Sequence, residues 1–192
     1  MNLKPAITAF IIGAVGAGIG AIACHLVAHT QPELVPNDHK AIITAAERVG
    51  VQVVINSSDH CTRKGLNGLY LSHSQGLLVI CQDYGQPGGP EVAWTANDLD
   101  TLRHEAHHLI QDCLAYRRGD QALRPAAETV EALYSFLDDT GFDDQQIEEI
   151  VDRYRANGAD DRTILLELEA FAVARAVAPE SIAEGITRSC PL

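Results

Sequence analysis

The sequence predicts an α+β domain in which a short antiparallel β-sheet comes before a mainly helical carboxy-terminal half. Three observations support this fold class. β-branched and apolar runs typical of strands occur only before residue 83, and after residue 95 the apolar residues recur at helical spacing. The chain has 192 residues, of which 46% are hydrophobic and 21% charged, as expected for a globular protein. Strands followed by helices indicate an α+β plan.

The first half of the domain contains one helix and the predicted sheet. Asn37 is a good helix N-cap, and the residues after it have amphipathic helical spacing. The run VQVVIN at 51–56 is rich in β-branched residues and predicts a strand. The stretch 69–82 predicts a hairpin with its turn near 74–76, and the proline- and glycine-rich stretch 83–94 predicts a loop.

The second half is predicted to be entirely helical. Its first helix runs from about Ala96 to Tyr116, and Thr95 and Asp98 have the spacing of a capping box at its start. Four more helical segments follow, at 125–139, 144–156, 161–177 and 179–188.

The amino-terminal residues are predicted to lie outside the domain. A basic start precedes an uncharged stretch that ends at Cys24, so residues 1–24 predict a signal peptide or a membrane anchor. Cleavage, lipid attachment and retention in the membrane all stay open. Residues 25–36 contain two prolines and predict a linker to the domain at 37–192. The expected location is therefore exported or membrane-anchored, on the periplasmic or extracellular side.

The cysteines agree with export. The four that follow the leader, Cys61, Cys81, Cys113 and Cys190, predict two disulfides, for which three pairings are open. The absence of a C-x-x-C pair disfavours a cysteine zinc site. The charge balance of 14 Lys+Arg against 26 Asp+Glu gives a formal charge of −12, and no basic run occurs. These features argue against nucleic acid as a partner.

The helix at 96–116 carries the sequence HEAHH at 104–108. On a helix, His104 and His108 lie one turn apart and nearly opposite the apolar stripe, whereas His107 lies closer to that stripe. This is an H-E-x-x-H motif. Its two imidazoles can direct nitrogens to one point at the roughly 2.0–2.1 Å that zinc requires, and Glu105 can reach a water bound there. The alternative is the solvated face of an ordinary helix.

A catalytic zinc site needs a third protein ligand, and the helix at 161–177 offers Glu167 and Glu169. Glu169 has apolar neighbours on each adjacent turn, where a carboxylate costs several kcal/mol unless it is paired. A zinc ion would satisfy it, and a buried salt bridge to Arg103 or Arg175 is the alternative. Glu169 is therefore the predicted ligand, and Glu167, on the more polar side, is the reserve.

These two helices resemble the gluzincin group of zinc metallopeptidases, which combine H-E-x-x-H with a glutamate on a later helix. The stretch ELEAFAVARAVAP at 167–179 is similar to the third-ligand helix of small ImmA/IrrE-like gluzincins. The resemblance implies a minimal zincin-like fold, and it implies that the glutamate preceding alanine, Glu169, is the ligand. It also implies that a peptide substrate lies along the edge strand near Tyr70.

The leading hypothesis is an exported or membrane-anchored zinc metallopeptidase that acts on a peptide or protein substrate. His104, His108 and Glu169 would hold Zn²⁺, and Glu105 would be the general base. The alternative is a catalytically inactive zincin-like binding module of the cell envelope or surface. Several residues have roles that stay open: Asp112 could orient an imidazole, and an oxyanion could be stabilised by one of three side chains. Those three are His73, Tyr134 and Tyr154.

Overall fold

The structure, a computed structural model, describes residues 34–72, 75–117 and 122–190. The predicted leader, and the predicted linker up to residue 33, lie outside these residues. Within them the α+β class is confirmed, as three strands and six helices. The strands are β1 (Gln52–Ile55), β2 (Gly68–Leu71) and β3 (Leu77–Ile80). The helices are α1 (Asn37–Arg48), α2 (Ala96–Arg117), α3 (Val130–Asp139), α4 (Asp144–Ala156), α5 (Asp161–Ala176) and α6 (Pro179–Ser189).

The sheet is mixed, which corrects the prediction of an antiparallel sheet. Its strand order is β1-β3-β2, so that the predicted hairpin of β2 and β3 is confirmed while β1 runs parallel to β3. The β1–β2 connection crosses one end of the sheet, and β3 returns between the two earlier strands. Leu78, Val79 and Ile80 are fully buried. A strand with apolar residues on both faces is suited to the centre of a sheet, where neither face meets water.

The loop between β3 and α2 is held by buried polar side chains. Asn56 adopts a left-handed backbone conformation with φ 54°, and its amide donates to Gln82 Oε1 at 3.0 Å. The predicted capping box at the start of α2 is confirmed. The Thr95 N–H donates to Asp98 Oδ2 at 2.8 Å, and the Asp98 N–H donates to Thr95 Oγ1 at 3.1 Å. These bonds satisfy the free donors at the beginning of α2 and fix where that helix starts.

The helices form two apolar clusters that share α5. The first lies between the sheet and helices α1, α2 and α6, with Val173 of α5 at its border. The second joins α3, α4 and the other side of α5, through Leu133, Leu137, Ile147 and Leu168. Helix α5 therefore packs against the rest of the domain on one side and supports α3 and α4 on the other.

Helix α3 begins five residues later than predicted, at Val130 instead of residue 125. Thr129 is its N-cap and accepts the Ala132 N–H at 3.1 Å. The residues before it stay irregular because the backbone N–H groups of Ala126 and Ala127 donate to the Glu169 carboxylate, at 2.8 and 2.6 Å.

Two disulfides are present, Cys61–Cys81 and Cys113–Cys190. They settle which of the three pairings the fold adopts. The first ties the β1–β2 connection to the end of β3, and the second ties α2 to the end of α6. Disulfides of this kind form and persist in oxidising compartments and indicate an exported protein. Of the helices in the described ranges, none is long and apolar enough to cross a membrane.

Candidate metal centre

The polar side of α2 is covered rather than solvated. His104, Glu105, His107 and His108 retain between 4% and 9% of their exposure, and Asp112, one turn further along, is also buried. Helix α5 and strand β2 both pack against α2 and account for this cover. The interpretation of this face as an ordinary solvated surface is therefore wrong. Buried imidazoles and carboxylates need partners, because each loses its hydration.

Three of these groups converge on one point. His104 Nε2 and His108 Nε2 are 3.1 Å apart. The Glu167 carboxylate faces both rings, with Oε2 at 3.1 Å from His104 Nε2 and Oε1 at 3.5 Å from His108 Nε2. His104, His108 and Glu167 form a group of ligand atoms that could hold a metal ion. The three side chains come from two helices, since α2 supplies both histidines and α5 supplies the glutamate.

Glu169, the predicted third ligand, is not part of this group, and the reserve residue Glu167 takes that place. Glu169 is buried, as the sequence indicated, but its partner is His107, whose Nε2 lies 2.9 Å from Glu169 Oε2. Arg103 pairs instead with Asp100, so it does not provide the alternative salt bridge. Glu167 and Glu169 lie about 200° apart on α5. Glu167 therefore meets His104 and His108, whereas Glu169 meets His107.

The charges around the group favour a cation. Burial raises the pKa of a carboxyl, but hydrogen bonds from His104 and His108 hold the pKa of Glu167 below its usual value. Burial would lower the pKa of His108, but the Glu167 carboxylate outweighs it and raises the pKa to about 9. Burial lowers the pKa of His104 and keeps this imidazole neutral. The result is an ionised Glu167 carboxylate that draws positive charge onto the His108 ring, beside a neutral His104 ring.

Glu105 lies beside the group without belonging to it. Burial raises the pKa of its carboxyl to about 7. Gly68 in β2 allows this strand to come close, because a Cβ there would lie 3.1 Å from Glu105 Cγ. The strand and the Glu105 side chain are therefore in contact.

Aromatic and acidic side chains surround the group. The Phe171 ring lies 4.5 Å from that of His104, and Tyr154 from α4 packs on Phe171. Burial and the nearby Glu167 carboxylate raise the pKa of the Tyr154 hydroxyl. Asp112 accepts the Tyr70 hydroxyl at 2.7 Å, which links α2 to β2.

Of the three side chains considered for an oxyanion, the structure brings only Tyr154 to the metal-ligand group. Tyr134 is exposed on α3, and His73 lies outside the described residues.

Comparison of the chain with models of protein families, with curated proteins and with solved structures gave no significant match.

Gln111 is the residue that sequence reasoning missed. It is fully buried, and its side chain contacts His108 Nδ1 at 2.7 Å and Glu169 Oε2 at 2.8 Å. A signal for it was present, because Gln111 lies one helical turn after His107, on the side of α2 nearer the apolar stripe. A polar side chain on that side must have a buried partner.

Proposed function

We propose that this protein is a zinc-dependent metallopeptidase that hydrolyses peptide bonds through metal-activated water, exported or anchored at the membrane. The observation that carries the proposal is the convergence of two imidazole nitrogens on the two oxygens of one carboxylate. His104 Nε2 lies 3.1 Å from His108 Nε2 and 3.1 Å from Glu167 Oε2, and His108 Nε2 lies 3.5 Å from Glu167 Oε1, which is close to the spacing of ligand atoms around one metal ion. Bonds of about 2.0–2.1 Å to a tetrahedral zinc place neighbouring ligand atoms roughly 3.3 Å apart.

The donor set suits a catalytic zinc. Two imidazoles and one carboxylate are three protein ligands, which leave the fourth position for water or substrate. A bound zinc ion would polarise a peptide carbonyl and lower the pKa of water to about 7. Harder cations such as Mg²⁺ prefer ligand sets made of oxygen, so the two imidazoles favour zinc over magnesium.

Glu105 would act as the general base. Its carboxylate would accept a proton from the attacking water as the water oxygen bonds to the carbonyl carbon. It would then return that proton to the amide nitrogen as the C–N bond breaks. Gly68 lets strand β2 pack directly against this side chain. The Tyr154 hydroxyl, which lies near Glu167, would donate a hydrogen bond to the developing oxyanion.

The free edge of β2 would bind the substrate. β2 pairs only with β3 in the described part of the sheet, and Gly68 of this strand lies against Glu105. An extended peptide can add to such an edge through main-chain hydrogen bonds, which bind any sequence with little regard to side chains. Such a peptide would have its carbonyl groups close to Glu105 and to His104 and His108.

The test is zinc content together with proteolysis. The wild-type chain should bind about one zinc ion and cleave unfolded protein substrates. Glu105→Gln should keep the zinc and lose the cleavage, because the ligands stay while the proton acceptor is gone. Glu167→Gln should lose both. Glu131→Gln, on the exposed face of α3, is the matched control and should change neither. Cleavage by Glu105→Gln at the wild-type rate would refute the mechanism.

The alternative is a catalytically inactive zincin-like binding module of the cell envelope or surface. One observation favours it: the side chains of His104, His108 and Glu167 are only 11%, 9% and 15% exposed, which limits the access of a substrate. Such a module would bind zinc as tightly as the proposed enzyme. It would cleave no member of a diverse peptide library, and Glu105→Gln would leave its partner binding unchanged.

A further inference from the structure

The Glu169 carboxylate is fully occupied by donors from the protein. Oε2 accepts from His107 Nε2 at 2.9 Å, from Gln111 Nε2 at 2.8 Å and from the Ala126 N–H at 2.8 Å. Oε1 accepts from the Ala127 N–H at 2.6 Å. These bonds hold the carboxylate ionised although it is buried, since charge-assisted hydrogen bonds offset its lost hydration. Glu169 therefore has a role other than binding the metal.

These contacts also fix which way the Gln111 amide points. Its Nε2 has two acceptors, Leu166 O at 3.1 Å and Glu169 Oε2 at 2.8 Å. Both amide hydrogens are used, so the carbonyl oxygen Oε1 must be the atom that faces His108 Nδ1, at 2.7 Å. An amide oxygen can only accept a hydrogen bond, so His108 Nδ1 must carry the proton. Once a metal displaces the proton that His108 Nε2 donates to Glu167, the lone pair lies on Nε2, the atom that faces His104 and Glu167.

We propose that Glu169 and Gln111 are positioning residues that hold His108 in the tautomer required for binding a metal. The inference rests on the proposed metal site. It also gives His107 a role, because the His107 ring supplies one of the buried donors that keep Glu169 in place. Outer hydrogen-bond partners of this kind fix the orientation and the tautomer of a ligating imidazole.

Loss of Glu169 would act on His108 through Gln111. Without the carboxylate, the Gln111 NH₂ group keeps only Leu166 O as an acceptor, so the amide is held less firmly with its oxygen toward His108 and can rotate by half a turn. Its NH₂ group would then face Nδ1, which would have to accept, so the proton would move to Nε2. A proton on Nε2 occupies the position through which His108 would bind the metal. Removal of such partners typically weakens metal affinity 10–100-fold.

The experiment measures zinc affinity of the full chain by competition with a chromophoric chelator. Gln111→Met keeps the shape of the side chain and removes the acceptor, and we expect zinc to bind 10–100-fold more weakly. Glu169→Gln should weaken binding to a similar extent. Gln145→Met, on the exposed face of α4, is the control and should bind like wild type. Circular dichroism establishes that each variant is folded.

A double variant separates positioning from general damage to the core. If Glu169 acts on His108 through Gln111, Glu169→Gln has nothing left to act through once Gln111 is replaced. We therefore expect Gln111→Met/Glu169→Gln to bind zinc about as weakly as Gln111→Met alone. A purely structural role for these residues predicts additive losses instead.

A measurement on the wild-type chain does not depend on any variant folding. In the zinc-loaded protein, a long-range ¹H–¹⁵N spectrum should show His108 protonated at Nδ1 and not at Nε2. Coordination through Nδ1, or wild-type affinity in Gln111→Met, overturns this inference while leaving the metal site standing. A wild-type chain that binds no zinc overturns the proposed function and this inference together.

Discussion

The contact between Gly68 and α2 allows a test that links the sheet to the proposed base. A Cβ at position 68 would lie 2.6 Å from Thr101 Cγ2, 2.9 Å from the Val79 carbonyl oxygen and 3.1 Å from Glu105 Cγ. The first two distances are shorter than Cβ contacts in proteins, so in Gly68→Ala the strand β2 must shift away from Thr101 and from the Val79 carbonyl oxygen, and the Glu105 side chain must give way as well. Overpacking of this kind costs about 1–3 kcal/mol.

The assay for Gly68→Ala is urea denaturation, with zinc affinity and peptide hydrolysis measured on the same samples. We expect the free energy of unfolding to fall by about 1–3 kcal/mol. Hydrolysis should fall while zinc affinity is retained, because the added methyl meets Glu105 and not the three ligands. Thr101→Ser removes the nearest methyl and keeps a hydroxyl for the bond to Asn97 O, so it should recover part of the stability lost by Gly68→Ala. A Gly68→Ala chain with the stability and activity of wild type would refute this account of the contact.

Two further predictions concern the disulfides and the pH dependence of stability. Cys113–Cys190 closes a loop with a sequence separation of 77, and Cys61–Cys81 closes one with a separation of 20. Replacing both cysteines of a disulfide by serine should therefore lower the free energy of unfolding, because the unfolded chain gains entropy. The expected loss is about 4.5 kcal/mol for Cys113–Cys190 and about 3.3 kcal/mol for Cys61–Cys81. Urea denaturation checks both, and a larger loss for the shorter loop would contradict the entropic argument. Glu105 has a pKa of about 7 in the folded chain against an ordinary value of 4.5, so the folded state favours the protonated carboxyl. The stability of the metal-free chain should therefore fall as the pH rises from 4.5 through 7, by about 3 kcal/mol from this group. Glu105→Gln should remove that part of the decline in chelator-treated samples, and an equal slope in both chains would contradict it.

The sequence predicted most elements of the fold but not how the sheet is assembled. Periodicity and turn residues locate strands and helices within one stretch of chain, and the capping box at Thr95 and Asp98 located the start of α2. The position of β1 depends on contacts between distant segments, which periodicity does not record. One signal was nevertheless present, since the run at Leu77–Ile80 has no polar face and so belongs at the centre of a sheet.

The candidate site was predicted in part for the same reason. A helical wheel gives directions around one helix, and from it the pairing of His104 with His108 and the burial of Glu169 could be predicted. It gives no rotation of one helix relative to another, so it could not decide whether Glu167 or Glu169 faces the pair. His107 was set aside because it lies near the apolar stripe, yet that position is what brings it to Glu169.

The spacing of the two glutamates on α5 constrains how this chain can vary in length. Each residue inserted or deleted ahead of Glu167 within the helix would rotate both carboxylates by about 100° around its axis. A single insertion or deletion would then move Glu167 away from the two imidazoles. It would also move Glu169 away from the backbone N–H groups of residues 126 and 127. Related chains should therefore tolerate gaps in the loops that flank α5 far better than gaps within it.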